Sequence, residues 1–151
     1  MGLKRTYPID TALQLEDGAA PIIATEVNSG GEIDLGDGLV HGAVVLQLSA
    51  IKVSAGDESY KVELQGTTVS AFGTAASNVV LASLDLGAHE TTGAVAGDTG
   101  TDTPTGVYYM PFCNDFAGTT HRYVRLKVTT AGTSETITYT AFLTTAVGLG
   151  S

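Results

Sequence analysis

The segment from Thr119 to Thr133 alternates apolar with polar or charged side chains over the length of a β-strand. Its centre reads Tyr123-Val124-Arg125-Leu126-Lys127-Val128, which places the apolar residues on one side and the aromatic and basic residues on the other. A period of two is the pattern of a strand with one buried face. The alternation stops at Ala131-Gly132-Thr133, where we expect a turn.

The same period returns in other short segments that are separated by Gly, Asn and Asp. These segments cover residues 44–48, 60–65, 80–86, 107–112 and 135–143. We expect inward-facing side chains at Tyr60, Val62, Leu64, Val80, Ala82, Leu84 and Leu86. Several short alternating strands at regular spacing predict an all-β fold, an antiparallel β-sandwich or barrel.

The first thirty residues are less regular. Residues 9–15 alternate and predict a short strand, whereas residues 20–24 are apolar but contain Pro21, which favours an edge strand or an arm. Ser29-Gly30-Gly31 interrupts the pattern. We therefore divide the chain into an N-terminal arm or edge-strand region, residues 1–30, and a β-sandwich domain, residues 31–151.

Composition limits the classes of protein that fit. A chain of 151 residues with 43% hydrophobic and 15% charged residues is long enough for one domain with a sizeable core and is too apolar for a disordered chain. The net charge of -9 argues against nucleic acid as a partner, because phosphate binding depends on clustered Lys and Arg.

The sequence indicates neither a disulfide bond nor a membrane-spanning segment. Cys113 is the only cysteine, so no intrachain disulfide can form. Residues 1–8 carry no apolar stretch after their charges, and no apolar run approaches the length of a membrane span. We expect a soluble protein that is made in a cytoplasm and has no membrane partner.

Three patterns suggest chemistry, and each has a simpler explanation. Residues 97–102 resemble a calcium-binding turn, but such turns work as stacked arrays and only one copy is present. Asp34 and Asp37 flank a tight turn, and turn geometry accounts for both. Cys113 could act as a nucleophile with His121 as its base, but a buried free cysteine beside large apolar residues is common. We predict no catalytic, cofactor or metal site.

The histidines and the longest loop add no site. His41, His89 and His121 lie far apart in sequence, and we expect them at the surface or in turns. Residues 89–106 are rich in Gly and Thr, and we expect an exposed loop that tolerates replacement by a short Gly-Ser linker.

The basic residues are concentrated, because Arg122, Arg125 and Lys127 are three of only seven in the chain. They could form a solvated strand face that discourages edge pairing. Alternatively, together with Tyr123, they could form a subunit or capsid interface, since Tyr and Arg are favoured at interfaces. Arg122 shares the phase of Val124, so we expect it at the rim of the sandwich.

The order and spacing of several segments resemble a known family. The segments are Leu13 to Ala20, Gly31 to Gly36, Tyr60 to Thr67, His121 to Val128 and the closing threonine-rich strand. They look like those of the jelly-roll cement, or decoration, proteins on the capsids of tailed bacteriophages. The resemblance covers most of the chain but not residues 89–106.

The resemblance implies a jelly-roll sandwich without enzymatic activity or cofactor. It implies a homotrimer on the outer surface of the virion capsid, with the major capsid protein lattice as partner. There it would bridge neighbouring capsid subunits and resist internal DNA pressure. Two alternatives remain open. A carbohydrate-binding or adhesin module would need exposed aromatics, and a hydrolase on a β scaffold would need a convergent acid/base set.

Overall fold

The computed structural model describes residues 11–72, 78–88 and 102–145. A 3-10 helix at Thr11–Leu13 precedes ten strands. The strands are β1 (Gln14–Glu16), β2 (Glu26–Asp34), β3 (His41–Ile51), β4 (Ser59–Thr67), β5 (Val79–Gly87), β6 (Gly106–Cys113), β7 (Asp115–Phe116), β8 (Thr119–Thr120), β9 (Tyr123–Ala131) and β10 (Ile137–Thr145). Within these ranges, no helix is long and apolar enough to span a membrane.

Eight of the strands form two four-stranded sheets that pack face to face. Sheet A has the order β1-β10-β3-β6, and sheet B has the order β2-β9-β4-β5. The antiparallel pairs β1–β10, β2–β9, β3–β6 and β4–β5 are nested along the chain, as in a hairpin folded back on itself. This connectivity is a jelly roll, which confirms the predicted fold class.

The core lies between the sheets and follows the period of two in the sequence. In β4, Tyr60, Val62 and Leu64 are buried, as predicted from their alternation with polar residues. The Tyr60 hydroxyl lies 2.9 Å from the Lys52 carbonyl, its closer acceptor, and accepts a hydrogen bond from the Thr136 N–H at 2.9 Å, so this large side chain is buried without an unpaired polar atom. The apolar face of β9 is buried in the same way.

One inward position was predicted wrongly. Val80 is 44% exposed, because the β4–β5 pairing shifts register between Leu64 and Gln65. Leu81 packs against the core near the shift. A bulge of this kind reverses the facing of the residues on one side of it, and a single strand's alternation cannot reveal it.

The first thirty residues take part in both sheets as far as they are described. β1 lies in sheet A, and β2 lies in sheet B. Ile22 is buried and exchanges backbone hydrogen bonds with Ile137 at 2.8 and 3.0 Å. The boundary predicted at residue 31 falls inside β2, and the strand predicted over residues 9–15 is in part a 3-10 helix. Residues 1–10 lie outside the described part.

A buried carboxylate organises the loop between β3 and β4. Glu58 accepts hydrogen bonds from the backbone N–H groups of Ala55 and Gly56, and Lys52 lies 3.8 Å away. The backbone beside it is crowded, since a Cβ on Gly132 would lie 2.7 Å from the Glu58 Cα. Gly132 also has a φ of 124°, so this turn after β9 requires glycine.

Candidate interaction faces

The predicted interface residues lie on the outer face of sheet B, which we call the charged face. Tyr123, Arg125 and Lys127 are half-buried, whereas the alternate residues of β9 are in the core. The strand lies between β2 and β4 and is therefore not an edge strand. Of the two alternatives for its basic residues, the solvated face therefore loses its edge-protecting role, because β9 has no free edge.

Arg122 lies just before β9 and binds carboxylates of its own subunit. Its Nε and Nη2 donate to the two carboxylate oxygens of Asp34 at 2.7 and 2.8 Å, and its Nη1 donates to Asp37 at 2.9 Å. Its guanidinium carbon also lies 5.4 Å from the ring centroid of Tyr123. The two aspartates that the sequence placed in a turn are thus the partners of Arg122.

This ion pair changes the acid strength of its members. The hydrogen bonds from Arg122, followed by that from the Gly36 N–H, lower the pKa of Asp34 from 3.8 to about 2. The same pairing raises the pKa of Arg122. The side chains of this cluster are solvent-accessible, so water and salt screen their charges. The cluster therefore connects its segments mainly through well-aligned hydrogen bonds and not through buried charge.

Arg125 is also engaged within the subunit. Its Nε donates to Gln65 at 3.0 Å, and its guanidinium carbon lies 4.2 Å from the ring centroid of Phe72. Glu32 is its cross-strand neighbour on β2 and accepts a hydrogen bond from the Ala71 N–H at 2.8 Å. An open cleft of about 220 Å³ in this region is lined by Gly31, Glu32, Ala71, Phe72 and Arg125.

Lys127 differs from the two arginines. It faces Glu63 across the β4–β9 pair, but no ion pair of Lys127 is formed with the described residues. Glu63 lies instead 3.9 Å from Lys61. Of the three basic residues predicted at the interface, Lys127 therefore has the charged group that is most available to a carboxylate of another molecule.

The charged face as a whole is mixed in sign. The outward positions of sheet B carry four carboxylates and three cations: Glu32, Asp34, Glu63, Asp85, Lys61, Arg125 and Lys127. Arg125 pairs with Glu32 of β2, and Lys127 pairs with Glu63 of β4. The cationic strand predicted from sequence is therefore largely balanced by its own sheet.

The outer face of sheet A has the opposite character, and we call it the uncharged face. Its central row crosses three strands at Phe142, Val45 and Tyr109, which are paired in register. The row on one side contains Thr140, Gln47 and Val107. The row on the other side contains Thr144, Ala43 and Pro111. None of these nine positions is charged. This face leaves no local pattern in the sequence, because its members are spread over β3, β6 and β10.

The candidate nucleophile and base are not held together as a catalytic pair. Cys113 lies opposite His41 in the β3–β6 register, and its sulfur accepts a hydrogen bond from the Asp115 N–H at 3.5 Å. His121 lies in the connection between β8 and β9 and is buried, with 5% exposure, so of the two expected places, surface or turn, it is not at the surface. Its Nδ1 lacks a hydrogen-bond partner in the described part of the chain.

A further buried residue organises the end of the sandwich near His121. The Asn114 side chain accepts from the Val40 N–H at 2.7 Å and donates to the carbonyls of Gly38 and His121 at 3.0 and 3.2 Å. It joins the β2–β3 loop to the β7–β8 hairpin and the start of β9. No local pattern signals this role, because Val40 and Gly38 lie 74 and 76 positions away along the chain.

No chemistry-bearing cluster is found in the described ranges. Groups of three or more His, Cys, Asp or Glu that could hold a metal ion are absent from residues 11–72, 78–88 and 102–145. The calcium-like turn and His89 fall mostly or wholly within residues 89–101, which are not described.

The fold and the two faces define a jelly-roll β-sandwich with chemically distinct outer surfaces. Comparisons with protein-family models, curated proteins and solved structures found no match to the chain.

Proposed function

We propose that this chain is a structural virion protein that binds the outside of a phage capsid and cements neighbouring subunits of the major capsid protein. The observation that carries the proposal is the contrast between the two outer faces of one jelly roll. One face is a mixed array of charges, and the other is uncharged. A rigid domain with two such surfaces can make two different contacts at once, as a bridging protein must.

The sequence resemblance supports this function, and so does the physics of bridging. A cement protein gains affinity from several modest contacts made together, because each further contact is made at a high effective concentration. A ligand that binds only the assembled lattice also stabilises that lattice by mass action. Neither effect requires catalysis or a cofactor, and the proposed protein has neither.

We assign the charged face to the capsid contact. Ion pairs at the rim of an interface direct orientation and association rate, and they weaken with salt. Lys127 is the preferred contact, since Arg122 and Arg125 already have partners within the subunit. Tyr123 and Arg125 lie on the same face and would adjoin the contact.

Binding to purified heads that lack this protein tests the proposal. Lys127→Glu should lower occupancy clearly in a co-sedimentation assay, and raising the salt concentration should do so for the unmodified chain. It is a cleaner variant than Arg125→Glu combined with Lys127→Glu, because Arg125 also packs on Phe72.

The matched control carries Ser54→Glu and Thr119→Glu, which make the same change in net charge at exposed positions outside the charged face. This control should bind like the unmodified chain. Equal occupancy of Lys127→Glu and the control would show that the charged face does not contact the capsid.

A further inference from the structure

The strands of sheet A are almost free of charge in a strongly acidic chain. Among the residues of β1, β3, β6 and β10, Glu16 is the only Asp, Glu, Lys or Arg, and it is 3% exposed. The chain as a whole has a net charge of -9. A broad surface without charge is unusual on such a protein, because depletion of charge is a mark of the core of an interface.

Large apolar side chains are exposed on this face. Tyr109 is 66% exposed and Val107 is 51% exposed, and both lie on β6. In register with Tyr109, the half-buried Val45 and Phe142 continue the apolar row across β3 and β10. The Tyr109 hydroxyl has no partner among the described residues, so it remains available for an intermolecular hydrogen bond.

Several hydroxyl groups of this face are already bonded within the sheet. Thr144 Oγ1 donates to the carbonyl of Ala43 at 3.3 Å, and Ser49 Oγ donates to the carbonyl of Thr138 at 3.0 Å. Thr140 Oγ1 lies 3.5 Å from the carbonyl of Asp17. Burying these groups costs little, because they do not leave an unpaired donor when water is removed.

The edges of sheet A do not favour association by strand addition. The edge strand β1 has three residues, and the other edge strand, β6, contains Pro111. Short edge strands and proline are the features by which proteins prevent edge-to-edge pairing. Contact through the face of the sheet is therefore favoured over contact through its edge.

We propose that copies of this chain associate through the uncharged face. The occupant follows from charge: two copies at -9 repel one another wherever acidic surfaces meet, and the uncharged face lets them approach at least electrostatic cost. The inference rests on the self-association that is part of the proposed function. It leaves the charged face for the capsid.

The test measures assembly in solution, without heads. Light scattering and sedimentation should give the unmodified chain a mass above that of the 15.4 kDa monomer. Val107→Glu with Tyr109→Glu should weaken association by at least about tenfold, because the substitutions bury charge within the contact. Circular dichroism and thermal melts establish that the variant is folded; if it is not, Tyr109→Ser replaces it.

The control carries Ser83→Glu and Thr129→Glu, which add the same charge at exposed positions of sheet B. It should associate like the unmodified chain. A monomeric unmodified chain, or a folded variant that associates normally, would overturn the assignment. Dissociation of the control to the same degree would also overturn it.

The outcomes separate this inference from the capsid proposal. Association through the uncharged face without binding to heads would contradict the cement function and leave the interface intact. Binding to heads by a chain that stays monomeric at every concentration would contradict the interface between copies and leave the cement function intact.

Discussion

At the scale of residues, Arg122 shows how a surface cation can be used inside its own subunit. Its phase in the sequence predicts a place at the rim of the sandwich, and its two aspartate partners lie 85 and 88 positions away. In the sequence, turn geometry accounts for both aspartates without a partner. A contact between distant segments leaves no local pattern, so the pairing could only be seen in three dimensions.

The Arg122–Asp34 pair should make stability sensitive to acid. The pKa of Asp34 is lowered to about 2 in the folded chain from 3.8, so its contribution is fully present above pH 3.8 and is lost as the pH falls toward 2. Asp34→Asn should therefore lower the melting temperature at pH 5. It should also reduce the fall of the melting temperature between pH 3.8 and about pH 2. Melts recorded across this range measure the effect.

Asp85→Asn is the control, because it removes a carboxylate from the outer face of the same sheet without breaking a described hydrogen bond. Its profile should follow that of the unmodified chain. Parallel profiles for Asp34→Asn and the unmodified chain would show that the ion pair does not contribute to stability.

At the scale of elements, the strands with regular alternation were predicted best. β4 and β9 are central in sheet B and have one buried face, so their sequences carry the full period of two. β1 and β2 were predicted poorly. β1 is only three residues long, and β2 contains the Ser29-Gly30-Gly31 break, so their place in the sheets depends on pairing with β10 and β9.

Asn114 should be the residue on which the end of the sandwich depends. Asn114→Ala leaves the Val40 N–H without its acceptor and removes both donated bonds, so we expect destabilisation of about 2–3 kcal/mol in denaturant titrations. Hydrogen exchange should quicken in the β7–β8 hairpin. Thr119→Ala, at an exposed position of that hairpin, should change stability by less than about 0.5 kcal/mol. Equal effects of the two substitutions would contradict the role of Asn114.

At the scale of the whole molecule, the fold class could be predicted and the arrangement of its surfaces could not. The alternation of β4 identifies a half-buried strand, but it does not say which strands lie beside it. Phe142, Val45 and Tyr109 form one apolar row only because β10, β3 and β6 are neighbours. The basic residues of β9 attracted attention in sequence, yet acidic residues of β2 and β4 flank them in the sheet.

The copy number of this chain in purified virus particles tests the central proposal most directly. Quantitative mass spectrometry should find it in numbers comparable with those of the major capsid protein, because a cement protein occupies repeated sites of the lattice. A few copies per particle would indicate a tail or fibre module of the adhesin type, and absence from particles would contradict any structural role in the virion.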